Sequence, residues 1–315
     1  MINFRFHIVS LIAVFLALAL GIVMGATVVN RAIVDRLNSR IDTVEDNANK
    51  RKAESDQLRG EVGQLQQYID GTKDFAIAGR LNGVSLATIA TRGVDADAVK
   101  QTVQLAQQAG ARAPGIIWLE GKLTLSDPDA LRDLGELLGR PGQNAKTTRE
   151  DAWNALAGRL ASGSGTAANG RDVLTALADA GFISFEPVGE QGENFSAASF
   201  GGGEGRVLLI DGTNGQVSAN EVLAPLGTAL ASNRLGLVAG EVFAEKDGGP
   251  KRGALLSPIR GSDDLKQTVS TIDDMDQLEG RVASVLALAD LGRNVVGQYG
   301  YGAGASKSAP EWQNQ

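Results

Sequence analysis

The 315-residue chain contains no cysteine and one histidine, His7, and its only methionines are Met1, Met24 and Met275. Without cysteine there is no disulfide, zinc ribbon, thiolate nucleophile or iron–sulfur cluster. The lone histidine abuts an apolar N-terminal run, so a Ser–His–Asp triad has no base to draw on. No motif supports a serine–lysine pair in its place. A net charge of −7 leaves no basic face for nucleic acid and offers anionic lipid little attraction. The absence of cysteine suits a reducing cytoplasm and an oxidising envelope equally.

Nucleotide fingerprints are also missing. The first strand candidate leads into Ala90, Thr91, Arg92, Gly93 and Val94, with neither G-x-G-x-x-G nor a P-loop lysine. Gly201, Gly202, Gly203 and Gly205 precede a strand rather than follow one, and no helix follows the glycines of 300–304. The expectation is a protein without catalytic residues, resident metal or cofactor.

What is present begins with an anchor. Residues 8–29 (IVSLIAVFLALALGIVMGATVV) carry no charge. As a helix they would span ~33 Å against a hydrocarbon core of ~30 Å. A cleaved signal peptide has a shorter core; Ala17 and Ala19 could imitate its cleavage site, but the apolar run continues well beyond them. Residues 1–30 are therefore expected to form an uncut transmembrane anchor. Ala17, Gly21 and Gly25 fall on one helix face and would let two spans pack closely, although small residues are common in spans generally. Arg5 flanks one end and Arg31, Arg36 and Arg40 the other, a count that leans toward a cytoplasmic C-terminal domain.

Residues 31–72 read as a coiled-coil stalk. Val34, Leu37, Ile41, Val44, Leu58, Val62, Leu65 and Ile69 keep the alternating three–four spacing of an a/d seam, with Ala48, Arg51 and Ser55 filling its weaker middle. Asp42, Glu45, Asp46, Asn49 and Lys50 leave the apolar stripe narrow, which favours a parallel homodimer over one helix lying back on the rest of the chain.

From 80 to 296 strand and helix signals alternate. Strands are expected at 84–91, 115–123, 182–186, 206–211, 235–243 and 268–272. Helices are expected at 96–109, from Asp127 and Pro128 onward, and at 149–161, 171–180, 220–232 and 279–291, with a surface loop at 162–170. The implied fold is α/β: a Rossmann-like, largely parallel sheet covered on both faces, preceded by the transmembrane helix and the stalk. Residues 297–315, rich in glycine and serine, read as a flexible tail with Trp312 exposed.

One acidic cluster stands out, Asp273, Asp274 and Asp276, with Asp263 and Asp264 nearby. These oxygens suit a hard cation, but EF-hand spacing is absent; the simpler expectation has Asp276 capping the next helix and the others facing solvent. Trp118 reads as core, whereas Tyr299 and Tyr301 could meet a partner.

The C-terminal stretch from Ser270 to Asp276 (STIDDMD), Gly280-Arg281, 285–288 (VLAL) and 296–300 (VGQYG) is distinctive. Together with Val9-Ser10-Leu11, 13–19 (AVFLALA) and Gly21, it resembles the actinobacterial MctB-type copper transporter family, or copper-transport outer-membrane protein family. That resemblance covers nearly the whole chain. It implies an envelope protein in the cytoplasmic membrane with its large domain outside, against the charge count, and a link to copper efflux or homeostasis. It also implies association with a membrane or divisome protein in cell division and cell-wall hydrolase control. Copper(I) prefers thiolate, thioether and imidazole, and beyond the span the chain offers only Met275. A β-barrel pore would need many strands alternating apolar and polar residues, which this pattern lacks.

Overall fold

The computed structural model describes residues 4–193, 195–201, 205–246 and 248–311; Trp312, expected to be exposed, lies outside them. The chain divides into two compact units, Met1–Leu65 and Gln66–Gln315.

A single helix, α1 (Phe4–Ile77), takes in both the apolar run and the residues expected to form the stalk. No proline occurs before Pro114, so nothing in this stretch removes a helical hydrogen bond or clashes with the preceding turn. Its glycines, such as Gly60 and Gly63, are tolerated in the helix interior at some cost in stability. Phe4–Gly25 is long and apolar enough to cross a membrane, and none of it is buried within the chain. Gly79, at φ +68°, follows the end of the helix with the left-handed turn that glycine adopts most readily.

The second unit builds one seven-stranded sheet. In chain order its elements are β1 (Ser85–Thr91), α2 (Ala96–Gln108), β2 (Gly115–Leu119), α3 (Pro128–Leu137), α4 (Ala145–Ser162), α5 (Val173–Asp179) and β3 (Ile183–Pro187). There follow β4 (Gly205–Gly212), α6 (Ala219–Ser232), β5 (Gly236–Val242), α7 (Ser257–Arg260), α8 (Leu265–Thr268), β6 (Val269–Ile272), α9 (Leu278–Asp290) and β7 (Gln298–Tyr299). The strand order is β3-β2-β1-β4-β5-β6-β7, and every pairing is parallel except β2 with β3.

Alternate strand residues feed two apolar layers. Ile89, Ile117 and Leu209 pack with Trp153, Leu156 and Leu223 of α4 and α6. Trp118, Ile210 and Val238 pack on the other face with Val99 and Val103 of α2 and Val285 of α9. Burial on both faces is why the central strands are continuously apolar. Trp118 is core as expected, its indole N–H donating to Glu186 at 2.8 Å. Helix starts follow their caps: Asp95, Asp127, Asn144 and Asp172 each accept a backbone N–H of the first turn.

Two elements differ from the sequence reading. The strand expected to run to residue 123 stops at Leu119, and Gly121–Thr124 form a 3₁₀ turn closed by Leu125 at φ +55°. The apolar run continues because Leu123 and Leu125 turn inward, not because the strand does. The segment expected to be a flexible tail carries β7, which pairs with β6, and a bridge between Tyr299 and Lys307.

Candidate functional site

Three acids end adjacent parallel strands. Asp211 of β4 and Glu241 of β5 are Cα partners in register, and Ile272 of β6 pairs with Gly240, which sets Asp273 beside Glu241. Asp211, Glu241 and Asp273 are wholly buried, and Asp274 is nearly so. Asp211 accepts from the Gly212 amide at 2.8 Å, and Glu241 Oε2 from the Gly253 amide at 2.9 Å. Glu241 Oε1 and Asp274 Oδ1 are buried with no hydrogen-bond partner.

Burial therefore governs their charge. It pushes Asp211 up to about 7, with the Gly212 amide and the nearby Thr91 hydroxyl partly countering it. It pushes Glu241 up to about 7 as well, helped by the charge of Asp273 and only partly offset by the Gly253 amide and by Arg252 and Arg260. Asp274 also rises to about 7, by burial first and then by repulsion from Asp273 and Glu279.

Two arginines balance the rest. Arg260 Nη1 donates to Asp273 Oδ2 at 2.8 Å, its Nε to the Thr271 hydroxyl at 2.8 Å and its Nη2 to the Tyr299 carbonyl at 2.7 Å. Asp273 Oδ1 in turn accepts from the amides of Tyr301 at 2.8 Å and Gly302 at 3.0 Å. Gly300, at φ +117°, lies so close that any Cβ there would strike the Asp273 carboxylate. Arg252 forks onto Asp276 at 2.6 and 2.9 Å and stacks over Phe243, 4.6 Å from the ring centroid. Burial acts against the Asp276 charge, but the hydrogen bonds from Arg252 and Gln277 hold its carboxyl below the usual value.

The acidic cluster read from sequence thus faces inward. Asp276 is not the cap of α9: Gln277 holds that position and makes no side-chain cap bond, while Asp276 binds Arg252. Asp273 and Asp274 do not face solvent. Asp211, Glu241, Arg252 and Arg260 escaped the sequence reading; the available signal was an acid inside an otherwise apolar strand, in RVLLID and LVAGEV. Chemically the group is a sealed electrostatic clamp that ties residues 252–260 and 299–303 to the carboxyl edge of β5 and β6.

Where the strand order reverses, between β1 and β4, the crevice is filled by the protein itself. The Gln216 amide donates to the Arg92 carbonyl at 2.7 Å. Gly93, at φ +99°, has no room for a Cβ against the Asn214 carbonyl. Two clefts lie at the opposite edge of the sheet. One, of about 540 Å³, is lined by Arg112, Pro114 and Gln191; another, of about 690 Å³, by Arg206, Arg234 and Gly236.

Copper fits poorly with the donors present. Met275 is wholly buried, and its sulfur fills the space beside Gly240, where a Cβ would overlap it. Among the described residues no group of three or more His, Asp or Glu is arranged to hold a metal ion.

The remaining sequence-derived residues lie on α1. Val34, Leu37, Ile41, Val44, Leu58, Val62 and Leu65 are 48–66% exposed, and Ile69 is half-buried. Ala17, Gly21 and Gly25 are exposed, and a Cβ at either glycine would meet nothing within 4 Å.

A family model described as "Copper transport outer membrane protein, MctB" matches residues 1–310. Copper transporter MctB of Mycobacterium tuberculosis (strain ATCC 25618 / H37Rv) is 28% identical over 97% of this chain and 98% of that protein. The protein of that name from Mycobacterium leprae (strain TN) is 26% identical over the same shares.

Proposed function

Because the chain belongs to the MctB family, we propose that it is a single-span, membrane-anchored envelope protein that acts by association rather than catalysis. Its stalk dimerises, and its α/β domain, which we read as Rossmann-like from the strand-order reversal beside β1, docks a membrane or division-machinery protein. The anchor lies in the cytoplasmic membrane with the large domain on the outer side. The observation that carries this reading is the row of large aliphatic side chains left exposed along α1, from Val34 to Leu65. A soluble helix with such a stripe, and no covering element among the described residues, is stabilised by a partner. The sealed carboxyls at the sheet edge support a binding role, because a fully buried acid offers a substrate no approach.

The test is the mass of the detergent-solubilised full chain by light scattering, with protease shaving of intact spheroplasts for topology. A monomer, or a domain resistant to protease until the membrane is opened, contradicts the reading. So does a pull-down from solubilised membranes that recovers no envelope or division protein.

A second reading, copper efflux or homeostasis, is favoured by the family description and the relatives' names. Here copper would be cargo handled by a partner, since the one soft donor this chain offers beyond the span is the buried Met275. Cellular copper in a deletion strain, with and without this chain restored, decides it: unchanged copper removes the reading.

A further inference from the structure

We infer that the partner of the exposed α1 stripe is a second copy of the same chain, parallel and in register, selected by two interchain ion pairs, Arg40 with Glu45 and Glu54 with Arg59. This rests on the proposed association through the stalk and goes further, to which copy, direction and register. The heptads assign Val34, Ile41, Ala48, Ser55 and Val62 to a, and Leu37, Val44, Arg51, Leu58 and Leu65 to d. Outside the weak middle the a layers are β-branched and the d layers mostly leucine, the combination that favours two parallel strands. Both copies carry the same span before the stalk, so both stalks leave the bilayer in one direction.

Charge then sets the register. In a parallel pair each g residue faces the e residue five positions later on the other helix. Here those contacts are Arg40 to Glu45, Asn47 to Lys52, Glu54 to Arg59 and Glu61 to Gln66. Two of the four are opposite charges, none is a like pair, and two-fold symmetry repeats each of them. Arg40, Glu45, Glu54 and Arg59 are all exposed in the single chain, where Arg59 reaches only a solvent-exposed Asp56 at 3.4 Å. Arg51 excludes slips of one heptad: displaced, it would enter the aliphatic layer of Val44 or Leu58 on the other helix. In register it meets its own copy, with Glu54 three residues along the same helix to offset the charge. Such a polar layer weakens the pair but fixes its alignment.

The absence of cysteine makes the test clean, since any cysteine introduced is unique. Full-length Leu37→Cys and Leu65→Cys, oxidised with diamide in native membranes, are each expected to form a same-residue disulfide dimer, and Ser39→Cys, on the outer face, none. Arg40→Glu with Arg59→Glu makes all four flanking positions acidic, and Glu45→Arg with Glu54→Arg makes them all basic. In a Leu65→Cys background each set alone should cross-link roughly tenfold less than the parent, as several weak pairs turn repulsive together. Co-expression of the two sets should restore the cross-link, which also shows that each folds and inserts. Disulfides that form only between Leu37→Cys and Leu65→Cys chains, or no loss on charge reversal, overturn the register while leaving a dimer in place. A monomer by light scattering, with no cross-link anywhere, removes both this inference and the proposed association beneath it.

Discussion

Arg260 and Asp273 form an ion pair at 2.8 Å in which 4% of one side chain and none of the other is exposed. The same carboxylate receives the amides of Tyr301 and Gly302, so the pair is also the peg that fastens the C-terminal segment to the sheet.

Removing one partner should therefore be costly. Arg260→Leu or Asp273→Ala leaves a buried charge uncompensated, at about 3–5 kcal/mol. Urea denaturation of the full chain should report that loss. Limited proteolysis should cut near residues 299–307 in both variants and not in the parent; equal protection in all three contradicts the peg.

Stability should fall as pH rises toward neutrality. Asp211 and Asp274 are raised from 3.8, and Glu241 from 4.5, to about 7. Between those limits the folded chain binds protons that the unfolded chain has released. Their contribution is full below about pH 4 and is lost as pH climbs through 7, at no more than about 1.4 kcal/mol per pH unit for each carboxyl. Asp276, held below its ordinary 3.8, acts in the opposite sense and only at lower pH. Denaturation midpoints at pH 5.5 and 8 should differ accordingly. Glu241→Gln should flatten the slope; an unchanged slope means the carboxyl is not the source.

Gly240 and Met275 should behave as a coupled pair. A Cβ at residue 240 overlaps the Met275 sulfur, so Gly240→Ala should destabilise by roughly 1–3 kcal/mol through overpacking. Adding Met275→Ala should recover part of that loss, where independent sites would simply add. Thermal melts of the two single variants and the double variant close the cycle.

Gly60 lies inside α1 at an outward position, with nothing within 4 Å of a Cβ built there. Gly60→Ala should stabilise α1 by about 0.5–1 kcal/mol by reducing the freedom of the unfolded chain. A higher helical melting temperature in detergent, by circular dichroism, is the expected result.

Local signals carried much of the architecture. The alternation of apolar runs with capped helices located six of the seven strands, because strands covered on both faces must be apolar throughout. Asp127, followed by Pro128, marked the start of α3 because its side chain satisfies a free first-turn amide, whereas α4 starts at its Asn144 cap, ahead of the expected 149. The break after Leu119 was not legible, because Leu123 and Leu125 prolong the apolar pattern while the backbone turns. Nor was the antiparallel setting of β3, since strand direction is decided by which edge is vacant when the chain returns.

The sequence by itself determined the uncharged apolar run, the heptad spacing along α1, the scarcity of soft metal donors and the family. Those properties depend on residue type and short spacing along one helix or strand. Only the tertiary structure decided that Asp273, Asp274 and Asp276 turn inward, that Asp211 and Glu241 line up beside them, and that the glycine-rich end is pinned by Arg260 and Asp273. Those contacts join segments as many as 43 positions apart in the chain, as where Arg260 donates to the Ala303 carbonyl, and the burial that sets their charge exists only once the sheet has closed over them.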